Sequence, residues 1–258
     1  MAASAESKQI AHLKRSVRPA SAVVGAELRA AGVDLVADFI SAAEEAALLA
    51  VCDAAPWDAS LSRRVQHYGF RFAYATKSCV PCAAPLPRAF VAVVRRVRPP
   101  WAVDDGGVQC TVNEYLPGQG IAPHVDTHAA FGDGIFSLTL GGGVAVRLQA
   151  NRRHRERARV HELYATPRSL LALRGAARFV YTHGIVSRKG DLVDDDWVPR
   201  TRRVSLTFRH VPPAGPCGCG FPASCDARGG FAPPLLPTRL RPAPGALEAA
   251  APADETVR

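Results

Sequence analysis

The spacing of apolar residues divides this chain into two parts. From Ala42 to Ala54 helix formers dominate behind Ser41, and Glu44 completes a Ser-x-x-Glu capping box, so a helix starts there. Pro87 suits the first turn of a second helix, in which Phe90, Val91, Val94 and Val97 recur at helical spacing. From Gly107 the period shortens to two. Val112, Glu114 and Leu116 alternate with Thr111, Asn113 and Tyr115. Phe136, Leu138 and Leu140 alternate with Ser137 and Thr139, and Val144, Val146 and Leu148 with Ala145, Arg147 and Gln149. Further strands are predicted over 169–173, 177–182 and 203–211, with Gly and Pro between them. Short strands at this spacing behind two helices predict an α+β fold: a double-sheet sandwich or jelly roll with N-terminal helices packed on one sheet.

The chain has 258 residues, 48% of them hydrophobic, enough for one sizeable core and cramped for two. The expected division is a basic N-terminal extension over 1–32, one domain over 33–228 and a disordered Pro/Ala-rich tail over 229–258. No stretch approaches the roughly 20 apolar residues of a membrane span, and the start lacks a secretory apolar block, so a soluble, membrane-free, monomeric protein of the cytoplasm or nucleus is expected. Lys8, Lys14, Arg15 and Arg18 stand against Glu6 alone, a pattern shared by organelle transit peptides and by basic helices that touch nucleic acid. Seven cysteines are an odd count for a disulfide framework, which leaves free thiols or metal ligands. A formal charge of +9 attracts polyanions, but by itself it does not distinguish a nucleic-acid binder from an Arg-rich surface.

His124 and Asp126 are two apart, so on an extended segment they point the same way, and His183 lies far downstream. Two imidazoles and a carboxylate are the ligand types of a facial iron site that leaves three positions open, although a lone His-x-Asp is weak evidence of one. Arg203 and Arg209 share a strand face about 20 Å apart along the backbone, so their long side chains can converge on the two ends of a small dicarboxylate or simply line a solvated face. Asn113 and Tyr115 share a face of their own strand and carry hydrogen-bonding groups. Cys217, Cys219 and Cys225 with His128 have the composition of a closed tetrahedral zinc site, with buried free thiols as the alternative. Cys79 and Cys82 are read as ordinary thiols of a loop, and Cys52 and Cys110 as core.

These motifs occur in an order that resembles the AlkB family of Fe(II)/2-oxoglutarate-dependent dioxygenases. Asn113-Glu114-Tyr115-Leu116-Pro117-Gly118 runs into His124-Val125-Asp126-Thr127-His128. Pro167-Arg168-Ser169-Leu170-Leu171, Tyr181-Thr182-His183-Gly184-Ile185 and Arg203-Val204-Ser205-Leu206-Thr207-Phe208-Arg209 follow. The likeness is greatest to the branch called AlkB homologue eight, whose nucleotide-recognition lid resembles Arg63 to Phe70. The resemblance implies a double-stranded β-helix core, iron ligands His124, Asp126 and His183, and structural zinc on His128, Cys217, Cys219 and Cys225. It places Arg203 and Tyr115 on the distal carboxylate of 2-oxoglutarate, and Arg209 and Asn113 toward its keto-acid end.

It further implies that dioxygen and 2-oxoglutarate are consumed to hydroxylate a substrate C–H bond. A hydroxyl placed on a carbon attached to ring nitrogen collapses to formaldehyde, whereas one placed on a carbon attached to carbon persists. The substrate expected from this branch is 5-methoxycarbonylmethyluridine at the wobble position of a tRNA anticodon loop. Phosphate contacts are expected from Arg63-Arg64, Arg95-Arg96-Arg98 and the run from Arg152 to Arg159. The alternatives are oxidative demethylation of N-alkylated bases and a catalytically silent RNA-binding module. Fuller members of the branch carry an RNA-recognition domain and a methyltransferase domain for which this sequence has no room, so a separate tRNA methyltransferase is an expected partner. Glu114 stands where the branch has Gln and should face away from the co-substrate with little effect.

Overall fold

The computed structural model describes residues 17–101, 106–151 and 158–229. The expectations for residues 1–16, for most of the Arg152 to Arg159 run and for the tail after 229 lie outside these residues. The domain begins earlier than the boundary at residue 33 implies. Ala20, Val24 and Leu28 are buried, and α1 (Ala26–Ala31) leads into β1 (Val33–Val36) at one edge of a sheet. Ala20, Val24 and Leu28 recur four apart, a short helical-period signal that the predicted boundary passed over.

Ser41 builds the anticipated box. Its Oγ accepts from the Glu44 amide at 3.2 Å while the Glu44 carboxylate accepts from the Ser41 amide at 2.8 Å, which starts α2 (Ala42–Ala54). Strand β2 (Val65–Tyr68) turns at Gly69 into a hairpin of β3 (Phe70–Ala73) and β4 (Ser78–Pro81). Gly69 has φ of +73°, and a Cβ there would lie 2.3 Å from the Val108 carbonyl oxygen, so only glycine allows this turn. Helix α3 (Arg88–Val97) follows Pro87 as expected.

The remaining strands are β5 (Val108–Tyr115), β6 (Ile121–His124), β7 (Ile135–Gly141), β8 (Val144–Ala150), β9 (Val160–Ala165) and β10 (Leu170–Leu173). After α4 (Gly175–Phe179) come β11 (Tyr181–Ile185), β12 (Gly190–Val193), β13 (Asp196–Pro199) and β14 (Arg203–His210). They form a six-stranded sheet in the order β1-β10-β7-β14-β5-β2 and a four-stranded sheet in the order β6-β11-β8-β9, the two layers of a jelly roll. Every described pairing in the two sheets is antiparallel.

The strand predicted over 177–182 is displaced. Residues up to Phe179 form α4, and the strand starts at Tyr181, because Arg178 inside this apolar run finds hydrogen-bond acceptors only in a helical turn beside the loop before β7. Phe90 and Val94 of α3 and Leu48 and Cys52 of α2 pack on Phe136, Leu138, Leu206 and Phe208 of the larger sheet. Each fully buried large side chain of this layer contributes about 1.5–3 kcal/mol. The second core, with Leu148, Leu171, Tyr181 and Ile185, fills the space between the sheets.

Candidate active site

Period two gives the larger sheet two chemically different faces. Val204, Leu206 and Phe208 of β14 and Cys110 and Val112 of β5 meet the helices. The alternate residues, Arg203, Ser205, Thr207 and Arg209 with Gln109, Thr111, Asn113 and Tyr115, form a polar face turned toward the smaller sheet.

At one end of this face stand His124, Asp126 and His183. One ligand atom from each lies within 4.8 Å of the others. His124 on β6 is the cross-strand partner of His183 on β11, which brings their ring centroids to 4.4 Å. His124 Nδ1 donates to the Ala122 carbonyl at 2.8 Å, so Nε2 carries the free lone pair, 3.6 Å from Asp126 Oδ1. Arg209 Nε donates to Asp126 Oδ2 at 2.7 Å, and Arg209 Nη1 donates to Gln109 Oε1 at 3.1 Å.

Burial alone would raise the Asp126 carboxyl, but Arg209 and the two histidines outweigh it and hold the group well below the usual carboxylate range. Burial, reinforced by His124, pushes His183 down to about 3. Asp126 is therefore ionised and His183 neutral at physiological pH, the protonation states a divalent metal requires. This donor set fits a ferrous ion held on one face.

Arg203 lies at the other end. It is 4% exposed, sits 5.3 Å from the Tyr115 ring centroid and donates through Nη2 to Thr139 Oγ1 at 3.0 Å. Its Nε is buried without an acceptor, and among the described residues no carboxylate pairs with it. Burial lowers its pKa to about 10, so it stays cationic at neutral pH. An unneutralised buried cation costs several kcal/mol, and a dicarboxylate reaching from the metal toward Arg203 would offset that cost.

Residues of two expected RNA-contact clusters also have partners within the protein. Arg63 is buried and donates from Nε to Asn113 Oδ1 at 2.9 Å, with its guanidinium 5.9 Å from the Tyr115 ring. Arg64 grips Glu114 at 2.6 and 2.7 Å and lies 4.9 Å from the Trp57 ring. Arg96 of the second cluster is paired with Glu44. The neighbouring His67, on the polar face opposite Thr111, is held below the ordinary imidazole range by burial and by Arg71, Arg209 and Arg63, against Asp58.

The β3–β4 hairpin closes over the rim. Phe72 packs on Phe131 at 5.8 Å between centroids, and Cys79 Sγ approaches the Ala130 carbonyl at 3.7 Å. Beside it lies a cavity of about 660 Å³ lined by Lys77, Cys79, Ala130, His210 and Pro213, with none of the three metal-ligand candidates in its wall. Cys82 turns elsewhere, to the His67 and Ala84 carbonyls, so the two thiols share no site.

A second cluster forms where the chain leaves β14. His128, Cys219 and Cys225 offer ligand atoms within 4.8 Å of one another, and His128 Nδ1 lies 3.3 Å from Cys219 Sγ. Cys217 stands outside that mutually close set but shares hydrogen bonds with both thiols. Burial and the adjacent thiols push Cys219 up to about 11, while the Cys219 amide and the two thiols outweigh burial and pull Cys217 down. Thiols that hold one another's protons in this way ionise together only around a cation, and the set fits zinc.

Gln109 and Arg178 escaped the sequence reading. Gln109 continues the period-two series of Thr111, Asn113 and Tyr115, so its face was legible. Arg178 is fully buried inside the run Ala176 to Val180, and a charge in such a run signals acceptors waiting in the interior.

Residues 35–209 match the model of the 2OG-Fe(II) oxygenase superfamily. The chain is 37% identical over 227 residues to the Alkylated DNA repair protein ALKBH8 homolog of Arabidopsis thaliana, covering 80% of this chain and 65% of that protein. It is 33% identical over 223 residues to the tRNA (carboxymethyluridine(34)-5-O)-methyltransferase alkbh8 of Xenopus tropicalis, covering 76% of this chain and 34% of that protein. The chain thus spans less than two thirds of either relative. Among solved structures, that of OsALKBH1 aligns with a TM-score of 0.52 at 16% identity over 69% of this chain and 96% of its own, a likeness of fold.

Proposed function

This chain belongs to the AlkB family within the 2OG-Fe(II) oxygenase superfamily, and from that premise we propose that it hydroxylates the side chain of 5-methoxycarbonylmethyluridine at the wobble position of tRNA. The observation that carries the chemistry is the pairing of a compact His124, Asp126 and His183 set with a buried Arg203 that, among the described residues, no carboxylate neutralises, on one polar sheet face.

In this reading His124, Asp126 and His183 hold the iron. When bound, ferrous iron couples oxidative decarboxylation of 2-oxoglutarate by dioxygen, giving succinate and carbon dioxide, to insertion of one oxygen atom into a substrate C–H bond. Arg203, with Tyr115 and Thr139, binds the distal carboxylate of 2-oxoglutarate through charge-assisted hydrogen bonds that lysine would match poorly. Arg209 and Asn113 lie toward the keto-acid end, where Arg209 also fixes the rotamer of Asp126. His128, Cys217, Cys219 and Cys225 bind structural zinc, which ties the segment after β14 to the iron loop.

The uridine assignment is supported by relatives whose name refers to carboxymethyluridine at position 34. The methylene of that side chain is bonded to carbon, so its hydroxylated product persists. In this reading the exposed Arg71 and Lys77 of the β3–β4 hairpin meet anticodon-loop phosphates, and the charge of +9 favours their approach. The ester of this substrate requires a methyltransferase, whether on a separate chain or a longer one.

The test is incubation with tRNA bearing the nucleoside, Fe(II) and 2-oxoglutarate, followed by nucleoside mass spectrometry. A gain of one oxygen is expected. Succinate formation with no such gain, and formaldehyde from methylated oligonucleotides instead, would assign the demethylase activity.

A further inference from the structure

Arg178 has a place in the fold that neither metal set explains. Its side chain is 0% exposed, and among the described residues it forms no salt bridge with a carboxylate. Its donors go to four main-chain carbonyls of one loop. Nη1 reaches Asp126 O at 2.8 Å, Nη2 reaches Thr127 O at 3.1 Å and Phe131 O at 2.9 Å, and Nε reaches Gly132 O at 3.2 Å. A buried cation is costly; here four carbonyl dipoles take its donors, Asp126, Asp133 and Asp226 attract it without direct contact, and a planar fork with five N–H donors is the side chain able to span four acceptors.

Two routes lead from this guanidinium to the Asp126 carboxylate. The first is direct, through the Asp126 carbonyl. The second runs through Phe131, whose carbonyl Arg178 holds and whose ring lies 5.1 Å beneath the Arg209 guanidinium. Arg209 in turn donates to Asp126 Oδ2 at 2.7 Å. The next residue, Phe179, packs its ring 4.9 Å from that of His128, so α4 braces both sides of the turn that carries Asp126.

We propose that Arg178 is a positioning residue of the iron centre, one that fixes the main chain from Asp126 to Gly132 so that the carboxylate meets the two imidazoles. The proposal rests on the assignment of Asp126 as an iron ligand. Arg178 itself touches no reactant.

The test compares wild type with Arg178→Lys, which keeps a charge but has three donors at a single point. Anaerobic titration with Fe(II) is followed by the visible charge-transfer band that appears with 2-oxoglutarate, and folding by far-ultraviolet circular dichroism. Arg178→Lys is expected to keep the wild-type dichroism while its Fe(II) dissociation constant rises at least about tenfold, the equivalent of about 1.4 kcal/mol. At saturating iron, its KM for 2-oxoglutarate stays within about threefold, because the Arg203 end is untouched. A folded variant with wild-type iron affinity overturns the proposal. If wild type itself binds no Fe(II), the iron assignment fails instead.

Hydrogen–deuterium exchange on the unsubstituted protein provides a second measurement should Arg178→Lys lose its fold. Addition of Mn(II) is expected to slow exchange in 126–132 and in 175–180 together. Slowing confined to the residues around His124 and Asp126 overturns the proposal.

Discussion

His124 and His183 face each other across β6 and β11 with ring centroids 4.4 Å apart, and the register of that one strand pair brings together the candidate metal ligands. The smaller sheet supplies both imidazoles, and Asp126 follows immediately on the loop. The larger sheet contributes Arg209 to orient that carboxylate and Arg203 at its far end.

Replacement of Arg203 by lysine is expected to raise KM for 2-oxoglutarate by about 10–100-fold, the value of one charge-assisted bond, with a smaller change in kcat. Arg203→Met should cost more, since it removes the charge. Steady-state kinetics at saturating iron measure both. An unchanged KM in either variant contradicts a role for Arg203 in carboxylate binding.

The metal-free protein should lose stability on mild acidification. An imidazole near 6.5 in the unfolded chain is held at about 3 for His183 in the folded one, so the unfolded chain binds the proton first. The stability it contributes is complete above about pH 6.5 and is lost as pH falls toward 3, with a slope of up to about 1.4 kcal/mol per pH unit. His128 and His67, also lowered, act in the same direction. Urea midpoints at pH 7 and pH 5 check this, and His183→Gln should flatten the difference.

Cys225→Ser is expected to reduce bound zinc from about one equivalent to none and to lower Tm by several degrees, as structural zinc contributes directly to folding. Cys82→Ser, outside the cluster, should leave both unchanged. Elemental analysis with differential scanning fluorimetry distinguishes the two.

Glu114→Gln should destabilise the fold by about 1–3 kcal/mol, where the sequence alone predicts little effect. Glu114 is 2% exposed and pairs with both Arg64 and Arg202 on the helix side of the sheet. Because that side faces away from Arg203, KM for 2-oxoglutarate should not move. Urea denaturation and steady-state kinetics together test the claim.

Period two along β5 and β14 fixed which residues share a face, so Asn113, Tyr115, Arg203 and Arg209 could be grouped from sequence, and Ser41 with Glu44 fixed the start of α2. These signals are local, and local geometry follows from the chain itself. Tertiary structure decided the rest. The strand register that joins His183 to His124, the turn of Arg63 inward toward Asn113, and the burial of Arg178 depend on partners distant in sequence. Arg178 shows why most clearly: its acceptors are main-chain carbonyls, which every residue carries, so no residue type in the loop announces them until the fold brings them together.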